Sequence, residues 1–288
     1  MDFFEALTHY GFLQRAVAAG LLAAVGCGLI GTWVVVRRIS FVAGGIAHAV
    51  LGGMGAALFF GFSTTAGALA AAVLSALLIG LISLRWKERE DTLISAVWAI
   101  GMAVGILFIA ATPGYQVDLV SYLFGNILMV SGTHLWTMLA LDLFLLVMLL
   151  LFHRQFEAVV FDEEFALLRG VPVTLFYLLL LCMIAVTVVL LMQVVGLILV
   201  IALLTLPAAI AGQFTYTLSR MMIVATLVGA FVSTTGLALS YETDLPSGAI
   251  ITLIAALLYL LALFIISYRS GRLKIAAVKT AAEEGGNA

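Results

Sequence analysis

Apolar runs of about 20 residues recur along the whole chain, separated by short polar or basic breaks. A run of that length, wound as a helix, crosses about 30 Å of hydrocarbon. The pattern predicts an all-α, polytopic helical membrane protein with about nine spans, eight to ten at the bounds. They lie near residues 15–36, 41–61, 64–84, 92–112, 134–152, 173–192, 196–214, 219–240 and 247–268. Alternation of the spans then sorts the basic residues. With the N-terminus outside and the C-terminus cytoplasmic, Arg37, Arg38, Arg85, Lys87, Arg89, Arg154, Arg169, Arg220, Arg269, Arg272, Lys274 and Lys279 all fall inside. Only Arg15 falls outside, so twelve of the 13 Lys and Arg residues obey the positive-inside rule.

Composition excludes the soluble classes. At 65% hydrophobic and 10% charged, the 288 residues offer too little polar surface to cover a water-soluble core. The net charge of -2 adds little, because position matters more than the sum. Cys27 and Cys182 both sit in predicted spans, which argues against a disulfide framework. The acidic start Met1-Asp2-Phe3-Phe4-Glu5 is unlike the basic start of a cleavable signal. No repeat or linker divides the chain, so one membrane domain is expected over residues 1–275, with a disordered cytoplasmic tail over 276–288.

Two polar segments interrupt the pattern. The first runs from Arg37-Arg38-Ile39-Ser40-Phe41 through Gly44-Gly45-Ile46-Ala47-His48-Ala49 to Gly52-Gly53, and it sets one imidazole inside an apolar span. An ionisable group there is costly unless it has a partner or a task. His48 lies about eight residues into its helix, ~12 Å from the boundary and near the bilayer midplane. Gly44 and Gly52 stand four residues to either side, and small residues at that spacing let helices approach closely. Two roles fit: a hydrogen bond across a tight helix contact, or a transient imidazole ligand for a divalent transition metal. The second segment is the connection 153–172. Its Phe161-Asp162-Glu163-Glu164-Phe165-Ala166-Leu167-Leu168-Arg169-Gly170 begins with an N-cap aspartate and acidic first turn and ends in Arg-Gly. Those signals predict a short amphipathic helix with Phe161, Phe165 and Leu168 on one face. A third stretch, 117–126, is too short and broken to span, and reads as a re-entrant or interfacial helix on the outer side.

In this order, the Arg-Ile-Ser-Phe…His-Ala segment, the Phe-Asp-Glu-Glu-Phe-Ala…Gly loop, Val195–Ala209 and Pro246-Ser247-Gly248-Ala249 resemble the ABC-3 membrane permeases of bacterial zinc/manganese ABC importers, which have the type II importer fold. The resemblance covers almost the whole chain. It implies a permease in the bacterial cell (inner) membrane, working as a homodimer with a separate ABC ATPase and an extracytoplasmic metal-binding protein. The transported ion would be zinc, manganese or iron, with no tightly bound cofactor and no nucleic acid among the partners. By the same resemblance, residues 162–170 are the coupling helix, with Asp162, Phe165, Ala166 and Gly170 contacting the ATPase. The absence of a Gly-x-x-x-x-Gly-Lys-Ser/Thr phosphate loop agrees with a subunit that is not itself an enzyme. Many relatives carry Asp four residues before the histidine, where this chain has Gly44.

Asp142, the one carboxylate placed within a span, is a second candidate ligand or an interhelical hydrogen-bond partner. Pro207 interrupts the seventh span's hydrogen bonds and is read as either a hinge along the path or a packing kink. Asp118, Glu242 and Asp244 offer an acidic outer mouth, or ordinary loop charge, with Asp244 alternatively capping the last span. Gly26, Gly28, Gly101, Gly105, Gly196, Gly229 and Gly236 are expected to serve helix packing. A type II permease for a siderophore or cobalamin, and a secondary transporter driven by an ion gradient, are the alternative readings.

Overall fold

The computed structural model describes residues 3–85, 90–113, 125 and 127–285, with side chains as far as 268. A short α1 (Phe3–His9) leads into nine long helices: α2 (Gly11–Arg37), α3 (Ser40–Phe60), α4 (Thr64–Arg85), α5 (Glu90–Ala111), α6 (Gly132–Phe161), α8 (Val173–Val195), α9 (Leu197–Phe214), α10 (Leu218–Thr243) and α11 (Ser247–Gly285). Between α6 and α8 lies a six-residue helix, α7 (Glu163–Leu168). Among the described residues, nine helices are long and apolar enough to cross a membrane, which agrees with the expected spans to within a few residues at most ends.

The bundle is built around α2, which packs on α6, α8, α9 and α10. Trp33, Ile30 and Leu13 of α2 are fully buried. Bare backbone permits these contacts. A Cβ at Gly31 would collide with the carbonyl of Leu204, and one at Gly28 would come within 2.8 Å of the Thr226 nitrogen. A second group, α3 with α4 and α5, joins the centre through α4 and α3 on α8. Helix α3 is gripped on both sides. Gly53 meets Gly67 of α4 backbone to backbone, while Gly52 and Gly55 meet Gly101 and Gly105 of α5. Most of the glycines read from sequence as packing positions do pack in this way. Gly196 does not: with φ 83 and ψ 161 it forms the joint between α8 and α9, a backbone conformation open in practice only to glycine.

Three boundaries differ from expectation. The fifth span continues as helix to Phe161, so much of the expected connection 153–172 is helical; only Phe152 departs, at φ -116 and ψ 19. The polar His153-Arg154-Gln155 marks exit from the apolar zone, and the turn beyond it is held by Phe156, 5.8 Å from Trp33 and 5.5 Å from Phe176 between ring centres. Asp244 ends α10 in the left-handed conformation, φ 54, instead of capping α11. Helix α11 runs to Gly285, through residues expected as a tail. The expected outer helix 117–126 falls outside the described residues except at Gly125, where a Cβ would come within 2.7 Å of the Val195 carbonyl oxygen. Arg37, Arg38, Arg85, Arg154, Arg169 and Arg220 gather at one end of the bundle, with α7; Arg15 lies at the other.

Candidate functional site

Two features are built at or near the basic end. The first is the imidazole. Helix α2 ends at Arg37, Arg38 turns the chain in the left-handed conformation (φ 62, ψ 32), and α3 begins at Ser40. His48 is half-buried, and its Nδ1 lies 2.8 Å from the carbonyl oxygen of Gly44. A carbonyl only accepts, so Nδ1 carries the hydrogen, and in the neutral ring Nε2 keeps its lone pair. The hydrogen bond therefore stays within α3 and does not cross a helix contact. The ring stacks on Trp98 of α5, 4.1 Å between centres and 27° between planes. Trp98 is itself anchored, its Nε1–H donating to Met102 Sδ at 2.9 Å. The side chain is thus held at two points, with no hydrogen-bond partner for Nε2 among the described residues. Its two glycine neighbours differ. A Cβ at Gly52 would press on the Gly101 carbonyl oxygen at 2.9 Å, whereas a Cβ at Gly44 meets nothing within 4 Å. The open side of His48 is the Gly44 side.

Trp98 was not singled out from sequence, although a signal existed: α3 and α5 both start at the basic end, and each places its ring eight residues in. Asp142 is not brought to His48. It is buried in the seam between α6 and α2, where a Cβ at Gly26 would come within 2.7 Å of Oδ1. Neither of its carboxylate oxygens has a hydrogen-bond partner among the described residues. Among those residues no group of three or more His, Cys, Asp or Glu side chains converges for a metal. Pro207 is buried within a continuous α9, close to Gly229 of α10, with the neighbouring Thr205 hydroxyl donating to the Ile201 carbonyl at 2.8 Å.

The second feature is the α7 corner. Asp162 caps the helix, its Oδ1 accepting from the Phe165 amide at 2.9 Å. Gly170 closes it at φ 73, and the Val171 amide returns to the Ala166 carbonyl at 3.0 Å. Ala166 is buried and seats the helix on the bundle, while Phe161, Phe165, Leu167 and Leu168 are exposed. The apolar face of α7 is thus left uncovered by the described residues. Arg37 reaches this corner from α2, forming an ion pair with Glu163 and donating from Nη1 to the Val160 carbonyl at 3.1 Å.

Nine membrane-length helices among the described residues, and a short capped helix presented at the basic end, are the architecture of a polytopic membrane subunit. The chain belongs to the ABC 3 transport family, with the match running over residues 9–266. It is a permease subunit of an ABC transporter, ATP hydrolysis being the work of a separate chain. An uncharacterized membrane protein of Synechocystis sp. is 46% identical over 88% of this chain and 91% of its own length. The manganese transport system membrane protein MntC of Halalkalibacterium halodurans is 37% identical over 91% of this chain and 90% of its own. Among solved structures, PsaBC from Streptococcus pneumoniae in complex with Fab superimposes with a TM-score of 0.82 at 31% identity, covering 91% of this chain and 95% of that one.

Proposed function

We propose that the chain is the permease of an importer for a divalent transition metal ion, with manganese the first cargo to test and zinc and iron beside it. The observation that carries this reading is His48, whose Nε2 lone pair is left free by the Gly44 and Trp98 contacts. An imidazole nitrogen suits zinc and iron, and it binds manganese, which favours oxygen donors, more weakly. Manganese stands at the weak end of the affinity order of these ions, so one nitrogen per chain holds it briefly, as passage requires. A homodimer supplies a second His48. The relatives named for manganese support the same cargo.

The basic end faces the cytoplasm of a bacterial cell, with the N-terminus outside and the C-terminus inside. The ATPase subunit docks on the uncovered apolar face of α7. An extracytoplasmic binding protein delivers the ion at the opposite end, where Glu242 and Asp244 are exposed. Uptake of manganese, zinc and iron by cells carrying only the variant chain tests the reading. His48→Ala lowers uptake of the cargo on the order of tenfold at an unchanged membrane level, and Phe165→Glu abolishes co-purification of the ATPase. Wild-type uptake by His48→Ala removes the histidine from the route.

A further inference from the structure

We propose that Arg37 is a positioning residue, the tie through which movement of α7 reaches the helix that carries His48. This rests on the reading of α7 as the ATPase contact. The guanidinium engages three elements besides its own. It pairs with Glu163 of α7, donates to the Val160 carbonyl at the end of α6 at 3.1 Å, and lies over the Tyr177 ring of α8, 5.6 Å from its centre. The pair is mostly withdrawn from water, with the Arg37 and Glu163 side chains 25% and 18% exposed. That lifts it above the ordinary surface ion pair, which contributes little. The planar fork of arginine suits one group to several simultaneous partners, whereas a lysine offers a single point charge.

Position in the chain makes the contact mechanical. Arg37 is the last residue of α2, only Arg38 and Ile39 separate it from α3, and Ile39 is buried. A pull on the guanidinium is therefore a pull on the α2–α3 corner, eleven residues before His48. Space lies on both sides of the tie. A cavity of about 390 Å³ opens toward Asp162, Glu163, Glu164 and Ser83. Another of about 240 Å³ opens toward Arg38, Phe41, Asp91 and Ile94. Among the described residues, Arg37 and Tyr177 line both. Ile94, in the second cavity, packs directly on Gly45 of α3. A displaced α7 can thus carry Arg37 without meeting packed core, and the motion arrives at the α3–α5 seam where His48 and Trp98 stack.

The test uses the complete transporter, this chain with its ATPase, reconstituted in lipid vesicles and supplied with manganese. Metal transport and ATP hydrolysis are measured together, with co-purification of the ATPase and thermal midpoint as controls for assembly. Arg37→Gln is expected to raise the ATP consumed per ion moved about tenfold, and Arg37→Lys to recover part of the loss. In a double-mutant cycle, Arg37→Gln with Glu163→Gln is expected to lose no more transport than Arg37→Gln alone, because the ion pair that Glu163 contributes is already cut. The inference is overturned by unchanged transport in Arg37→Gln, by losses that multiply in the double variant, or by transport and hydrolysis falling in proportion. If the wild-type chain binds no ATPase, the parent reading fails and takes this one with it. If the ATPase binds and the cycle is additive, only the tie fails.

Discussion

The seam between α3 and α5 sets a sharp contrast between two glycines that look alike in sequence. A Cβ at Gly101 would lie 2.5 Å from the Ala49 Cα, 3.0 Å from its Cβ and 3.1 Å from its carbonyl oxygen. Carbon contacts settle near 3.5–4.0 Å, so Gly101→Ala demands about 1 Å of separation. Helix α3 has no room to retreat, since Gly53 already meets the backbone of Gly67 on its far side. Helix α5 must therefore move outward, at an overpacking cost of about 1–3 kcal/mol. At Gly44 the same methyl meets nothing within 4 Å. Both changes gain helix propensity of about 1 kcal/mol, so the difference between the two variants isolates the contact term. In detergent, thermal unfolding of Gly101→Ala is expected below that of Gly44→Ala by the equivalent of about 1–3 kcal/mol. Uptake should fall with it, because Trp98 lies one turn before Gly101 and is drawn off His48. Equal midpoints, or a lower one for Gly44→Ala, would refute the reasoning.

Gly44→Asp places a carboxylate one turn from His48 in open space, and is expected to tighten manganese or zinc binding to the purified chain on the order of tenfold, read by calorimetry; unchanged affinity removes Gly44 from the site. Asp162→Ala should loosen α7 by about 1 kcal/mol, seen as faster amide exchange across residues 163–168, with Asp162→Asn restoring protection. Gly196→Ala forces a side chain into φ 83, ψ 161, so a stability loss of about 1–3 kcal/mol is expected in thermal unfolding. Asp142→Asn keeps size and shape where the carboxylate has no partner among the described residues, so the thermal midpoint is expected to hold or rise. A clear fall would mean that the acid makes a structural contact.

Span count, span limits and the clustering of basic residues at one end were legible in the chain, because hydrocarbon thickness and loop charge act on each segment separately. The Asp162 cap and the Gly170 stop were legible for a similar reason: both are satisfied within a few residues of themselves. The α6 extension was missed because His153, Arg154 and Gln155 report on solvent, which a helix can enter without ending.

His48 itself could be picked out from sequence, but its surroundings could not. Nothing local distinguishes Gly44 from Gly52; the difference arises only because α5 covers one and leaves the other bare. Nor does sequence show that Trp98 meets the imidazole, that Asp142 faces α2 instead, or that Arg37 spans to Glu163 across 126 positions. By itself the sequence determined the spans, the family and the short capped helix, because apolar length, capping and motif order are properties of contiguous residues. Tertiary structure alone decided which side of His48 is open and what Arg37 holds, because those depend on helix faces brought together from distant parts of the chain.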